Sequence, residues 1–311
     1  MNVFLLPTNV KTIREAIMKS IIFFDLFDFP LTFEEISKYV LGMRVDEQHI
    51  RMYLKDSKML SEKNGFYFVR GREHIADLRQ SNAKCAIKLW NKVFRYSWVF
   101  KMVPFIKMVA VCNSLSYMDV NKKSDIDLFV TTDKNRLFTA RFLLSAILYL
   151  LGVKRHDHKV AGRFCLSFFV TENSLDMEQV ALKPYDIYLA FWAMSLTPVF
   201  GEKTYNEFVE KNSWTKRYFP DGIIPNTSVI HKSGFIARAV KRFLTRVLSG
   251  KLGGKLEGYL SRALIKRAES KAEKLPDRRG TIISSNIMKF HDNDIREYIR
   301  EAWEKKTKLF S

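Results

Sequence analysis

Two aspartates, Asp125 and Asp127, flank a single apolar residue at the head of the β-prone run Ile126 to Thr131. Side chains alternate along a strand, so this spacing puts both carboxylates on one side and sends Ile126 and Leu128 to the core. Like charges held that close are costly unless a cation sits between them. A hard divalent ion such as Mg²⁺ prefers such oxygen ligands, with phosphate completing its shell. A metal is the natural partner of the pair.

The surrounding pattern states what must position these acids. Ile106 to Cys112 is an apolar, β-branched run suited to a buried strand, and Asn113-Ser114 begin a turn after it. An apolar helix from about Asn135 to Leu151 and a third strand signal from Phe164 to Thr171 follow the acidic strand. Strand, helix, strand in alternation predicts a mixed α/β (α+β) sheet flanked by helices. Upstream, helical spacing runs from Thr12 to Phe27, Thr32 with Glu35 forms a capping box opening a helix to about Leu41, and Asp46 to about Lys58 gives a third helix. Two short β-prone runs around Asn64-Gly65 then predict a hairpin. Three helices and a hairpin resemble a winged helix. A long basic, aromatic helix from Glu73 to about Phe100 ends before Pro104, and from Pro184 onward the patterns are helical, with an interruption around Gly253-Gly254.

The apolar strand, the Asn113-Ser114 turn and, after ten intervening residues, Asp125-Ile126-Asp127 together resemble the signature of the DNA polymerase β-like nucleotidyltransferase superfamily. More narrowly, the chain resembles a group of bacterial and archaeal predicted nucleotidyltransferases with an N-terminal winged-helix-like segment. Val103 to Val111, Phe164-Cys165-Leu166, Asn212-Ser213-Trp214 and Lys289-Phe290-His291 carry that second resemblance. The resemblance implies a nucleotidyltransferase-fold sheet in which Asp125 and Asp127 bind Mg²⁺, or Mn²⁺, in a two-metal site. It implies that Ser114 and nearby backbone N–H groups, at the start of a helix, hold the nucleotide phosphates. Asn113, Ser124 and Lys122 would complete the nucleotide contacts, with Lys122 and Lys123 balancing triphosphate charge.

Two positions depart from the family pattern. Asn113 stands where Gly is usual; Asn tolerates the left-handed backbone region better than other side chains. Ser167 stands where the resemblance implies a third carboxylate on the strand Phe164 to Val170, and a serine does not replace a carboxylate base. Glu172 beyond the strand and Asp157 before it are both candidates, and spacing selects neither. The bland readings stand beside these: a surface pair of acids for Asp125 and Asp127, an ordinary helix cap for Ser114, and solvated loops for His156-Asp157-His158 and Lys122-Lys123. Lys289, His291, Asp294 and Arg296 read as a solvated helix start.

The 311 residues suit about two domains, and 47% apolar with 27% charged residues excludes disorder as the dominant state. The organisation expected is a winged-helix-like domain over 1–72, a connecting helix over 73–103, a nucleotidyltransferase core over 104–183 and a basic helical region over 184–311. The formal net charge is +19, and residues 231–311 hold 20 Lys and Arg against 9 Asp and Glu. Such a surface favours polyanions, including nucleic acid, nucleotides and acidic lipid. From Ala237 to Lys274 the basic amphipathic stretch suits a peripheral anionic surface, or a solvated helical face packed on the core. The segment Arg44 to Lys58 nets only +1, a weak footprint for DNA. Three scattered cysteines, no signal-peptide pattern and no apolar run of transmembrane length suggest a cytoplasmic setting. The function expected is transfer of NMP from an NTP to an unidentified acceptor (small molecule, protein or nucleic acid), with release of pyrophosphate. The rival is a nucleotide-binding sensor or adaptor that has lost catalysis and engages DNA or a protein.

Overall fold

The strand carrying the acids is central to a six-stranded mixed sheet. A computed structural model of the chain describes residues 12–156, 158–222, 234–291 and 294–310. The sheet contains β4 (Ile106–Val111), β5 (Ile126–Thr132), β6 (Phe164–Thr171), β7 (Thr197–Phe200), β8 (Thr281–Ile283) and β9 (Ile287–Phe290), in the order β7-β4-β5-β6-β9-β8. Only the β5–β6 pair is parallel, and α5 (Leu137–Leu150) crosses between its two strands. Three of the six strands fall within the C-terminal region expected to be helical, so that region contributes to the sheet itself. Pro198 is tolerated in β7 because the strand lies at the sheet edge.

Both faces of the sheet are covered, which explains the near-continuous apolar strands. Ile126, Leu128 and Val130 face a core built with α4 (His74–Met102) and α5, against which α9 (Lys251–Ala272) also packs. Phe129, Met108, Ala110 and Phe168 face the opposite core, formed with α1 (Ile13–Asp25), α6 (Ile187–Ser195) and α10 (Arg296–Lys308). The second core is aromatic: Phe129, Phe168 and Trp192 pack together, with the Phe168 and Trp192 rings stacked at 5.3 Å. At Gly201, φ is +91° and a Cβ would lie 2.0 Å from the Lys107 carbonyl oxygen, so only glycine lets α7 (Glu202–Lys211) begin against β4.

The amino-terminal elements follow the sequence reading closely. Thr12 caps α1, and Thr32 and Glu35 form the capping box of α2 (Phe33–Lys38). β2 (Leu60–Lys63) and β3 (Phe66–Val69) meet at Asn64-Gly65, both with positive φ, and β1 (Leu31–Thr32) joins them in a three-stranded antiparallel sheet. Among the described residues the protein is a mixed α/β structure with ten helices and these two sheets. The segment before α4 does not carry a core of its own alone. Phe23 and Phe24 of α1 pack on Phe191, and Trp303 of α10 donates through Nε1 to the Lys19 carbonyl at 3.0 Å.

The expected break at Gly253-Gly254 lies elsewhere. α8 (Phe235–Leu248) ends at Ser249-Gly250, and Gly253 and Gly254 lie inside α9. A Cβ on Gly253 would fall 1.7 Å from the Leu248 carbonyl oxygen, so that glycine serves a close approach between two helices. No helix among the described residues is long and apolar enough to cross a membrane.

Candidate active site

Asp125 and Asp127 come together at the start of β5, beside the end of β4. One carboxylate oxygen of each and the Cys165 sulfur all lie within 4.8 Å of one another. Ile126 and Leu128 are buried on the opposite face, as alternation requires. Asn113 has φ +56°, in the left-handed region that asparagine tolerates better than most side chains. Its side chain does more than tolerate the turn. Asn113 Nδ2 donates to Asp127 Oδ2 at 2.8 Å, while Trp192 Nε1 donates to Asn113 Oδ1 at 3.0 Å. The indole thus fixes the amide orientation, and the amide fixes the carboxylate.

Arg155 supplies the charge partner of the other acid, with Nη1 2.8 Å from Asp125 Oδ2 and 3.7 Å from Cys165 Sγ. Among the described residues, Asp127 has no such cation in contact. Burial, reinforced by the Asp125 charge, pushes its carboxyl up to about 6, against the opposing effect of the Asn113 hydrogen bond. Burial and the two aspartates push the Cys165 thiol up to about 12, so it stays protonated near neutrality. The donor set is two hard carboxylates beside a thiol; the carboxylates fit Mg²⁺ with phosphate or water completing the shell.

The residue beside the acids on β6 is Cys165, where sequence spacing had pointed to Ser167. The β5–β6 register pairs Asp127 with Cys165, then shifts so that Phe129 pairs with Phe168. This irregularity changes which β6 residues share the face of the acids. Glu172 is also excluded as a third acid: it follows the far end of β6, where Lys107 Nζ holds it at 2.6 Å. Asp157 lies outside the described residues. The helix expected to open at Ser114 is a single 3-10 turn, Asn113–Leu115, too short for an appreciable dipole.

The remaining nucleotide candidates separate. Ser114 is half-buried next to the acids' turn and accepts a long hydrogen bond from the Tyr117 hydroxyl at 3.5 Å. Ser124 is occupied in its own loop, with Oγ accepting from Asn121 N at 3.1 Å and its carbonyl accepting from Gly162 N at 2.7 Å. Lys122 is exposed in that loop. A small cavity lies beside Asn113, lined by Phe24, Phe29, Tyr117, Tyr188 and Trp192.

The group read as a solvated helix start is instead buried. Lys289, Asp294 and Arg296 are each less than a tenth exposed in their side chains. Arg296 reaches Asp294 through Nη2 at 2.7 Å and Asp186 through Nη1 at 3.0 Å. Against the upward pull of burial, this guanidinium holds Asp294 down to about 2. Burial lowers His291 to about 4 and Lys289 to about 8. The surprise has a structural cause: Lys289 belongs to β9, paired with Phe168, and a strand there was not legible.

No protein-family model, no curated protein and no solved structure matches the chain. The functional reading therefore rests on the residues. Sequence reasoning missed Arg155, Cys165 and Trp192. None has a local signature, because each reaches the site from a separate element.

Proposed function

We propose that the protein is a Mg²⁺-dependent nucleotidyltransferase of the polymerase β-like type, moving NMP from an NTP to an acceptor with release of pyrophosphate. The observation that carries this reading is the convergence of the Asp125 and Asp127 carboxylates beside a left-handed Asn113 at the end of β4. Bound there, Mg²⁺ would neutralise charge on the reacting phosphates and the departing pyrophosphate. Asp125 and Asp127 hold the ion. Asn113 and Trp192 fix the direction of Asp127, so little reorganisation is needed when the ion arrives. Ser114 lies on the turn where a phosphate oxygen would meet it. In this reading the sheet is a nucleotidyltransferase core, and residues 1–72 are a winged-helix-like unit. Its third helix, Glu47–Asp56, has two acids and two cations, which favours a structural or protein-contact role over DNA reading.

Two observations favour a second reading, that of a nucleotide-binding sensor or adaptor. Arg155 already pairs with Asp125, and the β6 residue next to Asp127 is a cysteine. A sensor would bind Mg²⁺-NTP without turnover. The discriminating experiment incubates the protein with each α-labelled NTP, Mg²⁺ and acceptor pools, with Asp125→Asn and a chelator control alongside. Label transfer and pyrophosphate release that depend on both Asp125 and Mg²⁺ support the transferase. Saturable NTP binding with no pyrophosphate release supports the sensor, and equal transfer by Asp125→Asn removes the proposed site.

A further inference from the structure

The least protected apolar surface lies far along the chain from the acids, on α8. Phe235, Ile236, Phe243 and Val247 are 75, 76, 67 and 56% exposed. Helical spacing puts Ile236, Val240, Phe243 and Val247 in one stripe, at intervals of four, three and four residues. Arg238, Arg242 and Arg246 recur every four residues and form a second stripe, centred roughly 130° around the helix from the apolar one, all three exposed. The inward side is separately anchored. Ala237 is buried, and Lys241 turns in, donating to the Ile106 carbonyl with its ammonium 4.7 Å from the Phe200 ring centre. The exposed apolar stripe is therefore not the face that holds α8 to the protein.

The charge around this ridge identifies what covers it. α8 contains four Arg and Lys and no acid. Across α8 and α9 there are ten cations and two acids, and one of those acids, Glu257, is buried, accepting from the Phe138 and Thr139 backbone N–H groups at 3.0 and 2.8 Å. Leu252 and Tyr259, 79 and 65% exposed, continue the apolar surface into α9. A row of bulky apolar side chains with a separate row of arginines is the pattern of a helix lying in the plane of a lipid surface: the apolar side enters the acyl boundary while the guanidinium groups stay with anionic headgroups. A nucleic acid would use the arginines and leave Ile236, Phe243 and Val247 in water; an acidic protein would not require so continuous a cationic border.

We propose that α8, extended by the start of α9, is a docking surface for anionic lipid membranes, held by Ile236, Phe243 and Val247 in the acyl boundary and by Arg238, Arg242 and Arg246 at the headgroups. The test is cosedimentation of the full chain with vesicles of phosphatidylcholine alone and of phosphatidylcholine mixed with phosphatidylglycerol, without nucleotide. Binding to the mixed vesicles is expected, with weak binding to the neutral ones. Ile236→Ser combined with Phe243→Ser should weaken it by about tenfold or more, and Arg238→Gln with Arg242→Gln and Arg246→Gln by a similar factor. Thermal melting should be unchanged in both variants, because the replaced side chains are exposed.

Three results would overturn the proposal. The first is absence of binding to the mixed vesicles. The second is binding that the arginine variant loses but the Ile236/Phe243 variant keeps in full, which marks a polyanion site; equal behaviour toward duplex DNA would identify its partner as nucleic acid. The third is concentration-dependent dimerisation that the Ile236/Phe243 variant abolishes while vesicle binding persists, which marks a contact between copies of the chain.

Discussion

Two pairs of carboxylates border the same core, and the protein treats them differently. Asp186 and Asp294 share the Arg296 guanidinium, and Asp294 is held far on the ionised side, down to about 2. Asp125 and Asp127 have Arg155 on one acid only; the other receives a neutral amide and is pushed up to about 6. The first pair is electrostatically complete without any ligand. The second is undercompensated, which is costly for folding and is the condition under which a bound cation gains most. The contrast separates acids whose charge is balanced within the fold from acids whose charge is not.

The comparison breaks most easily at Arg296. Replacing it with Met removes the guanidinium that two buried carboxylates share, and a loss of about 3 kcal/mol is expected in urea unfolding. Asp125→Asn should leave the fold intact and lower nucleotidyl transfer by about 10³-fold, read as pyrophosphate release under saturating Mg²⁺. Asp127→Asn sharpens the contrast because the same change is expected to abolish transfer and stabilise the metal-free protein. A carboxyl raised in the folded state contributes stability that is intact below its unfolded pKa and is lost as pH rises through about 6. The variant should therefore gain about 1–2 kcal/mol over wild type at neutral pH, a gain that vanishes as pH falls toward 4 and shrinks when Mg²⁺ is added. Smallest is Trp192→Phe, which frees the Asn113 amide: about 1 kcal/mol of stability and less than tenfold in turnover.

The local logic of this chain was legible before its coordinates. The Asn64-Gly65 hairpin, the Thr32–Glu35 capping box, the strand Phe164 to Thr171 and a left-handed residue at Asn113 follow from side-chain chemistry within a few positions. The convergence of Asp125 and Asp127 follows from strand alternation. What failed were features set by remote pairing. β7, β8 and β9 have only three or four residues each, too few for a periodic signal, and β7 contains a proline. Cys165 took the place next to the acids because the β5–β6 register shifts, which only the partner strand determines. Lys289 and Asp294 looked solvated because nothing near them in sequence announces Asp186, more than a hundred positions earlier.

The clasp between α1 and α10 bears on how the protein is made. Trp303 hydrogen-bonds the Lys19 carbonyl, and Lys306 pairs with the buried Asp25. The chain must therefore be synthesised through α10 before α1 finds these neighbours, and until then the α1 phenylalanines remain open to chaperones or to one another. A nascent chain stalled before α10 should be far more vulnerable to proteases at its first helix than the finished molecule.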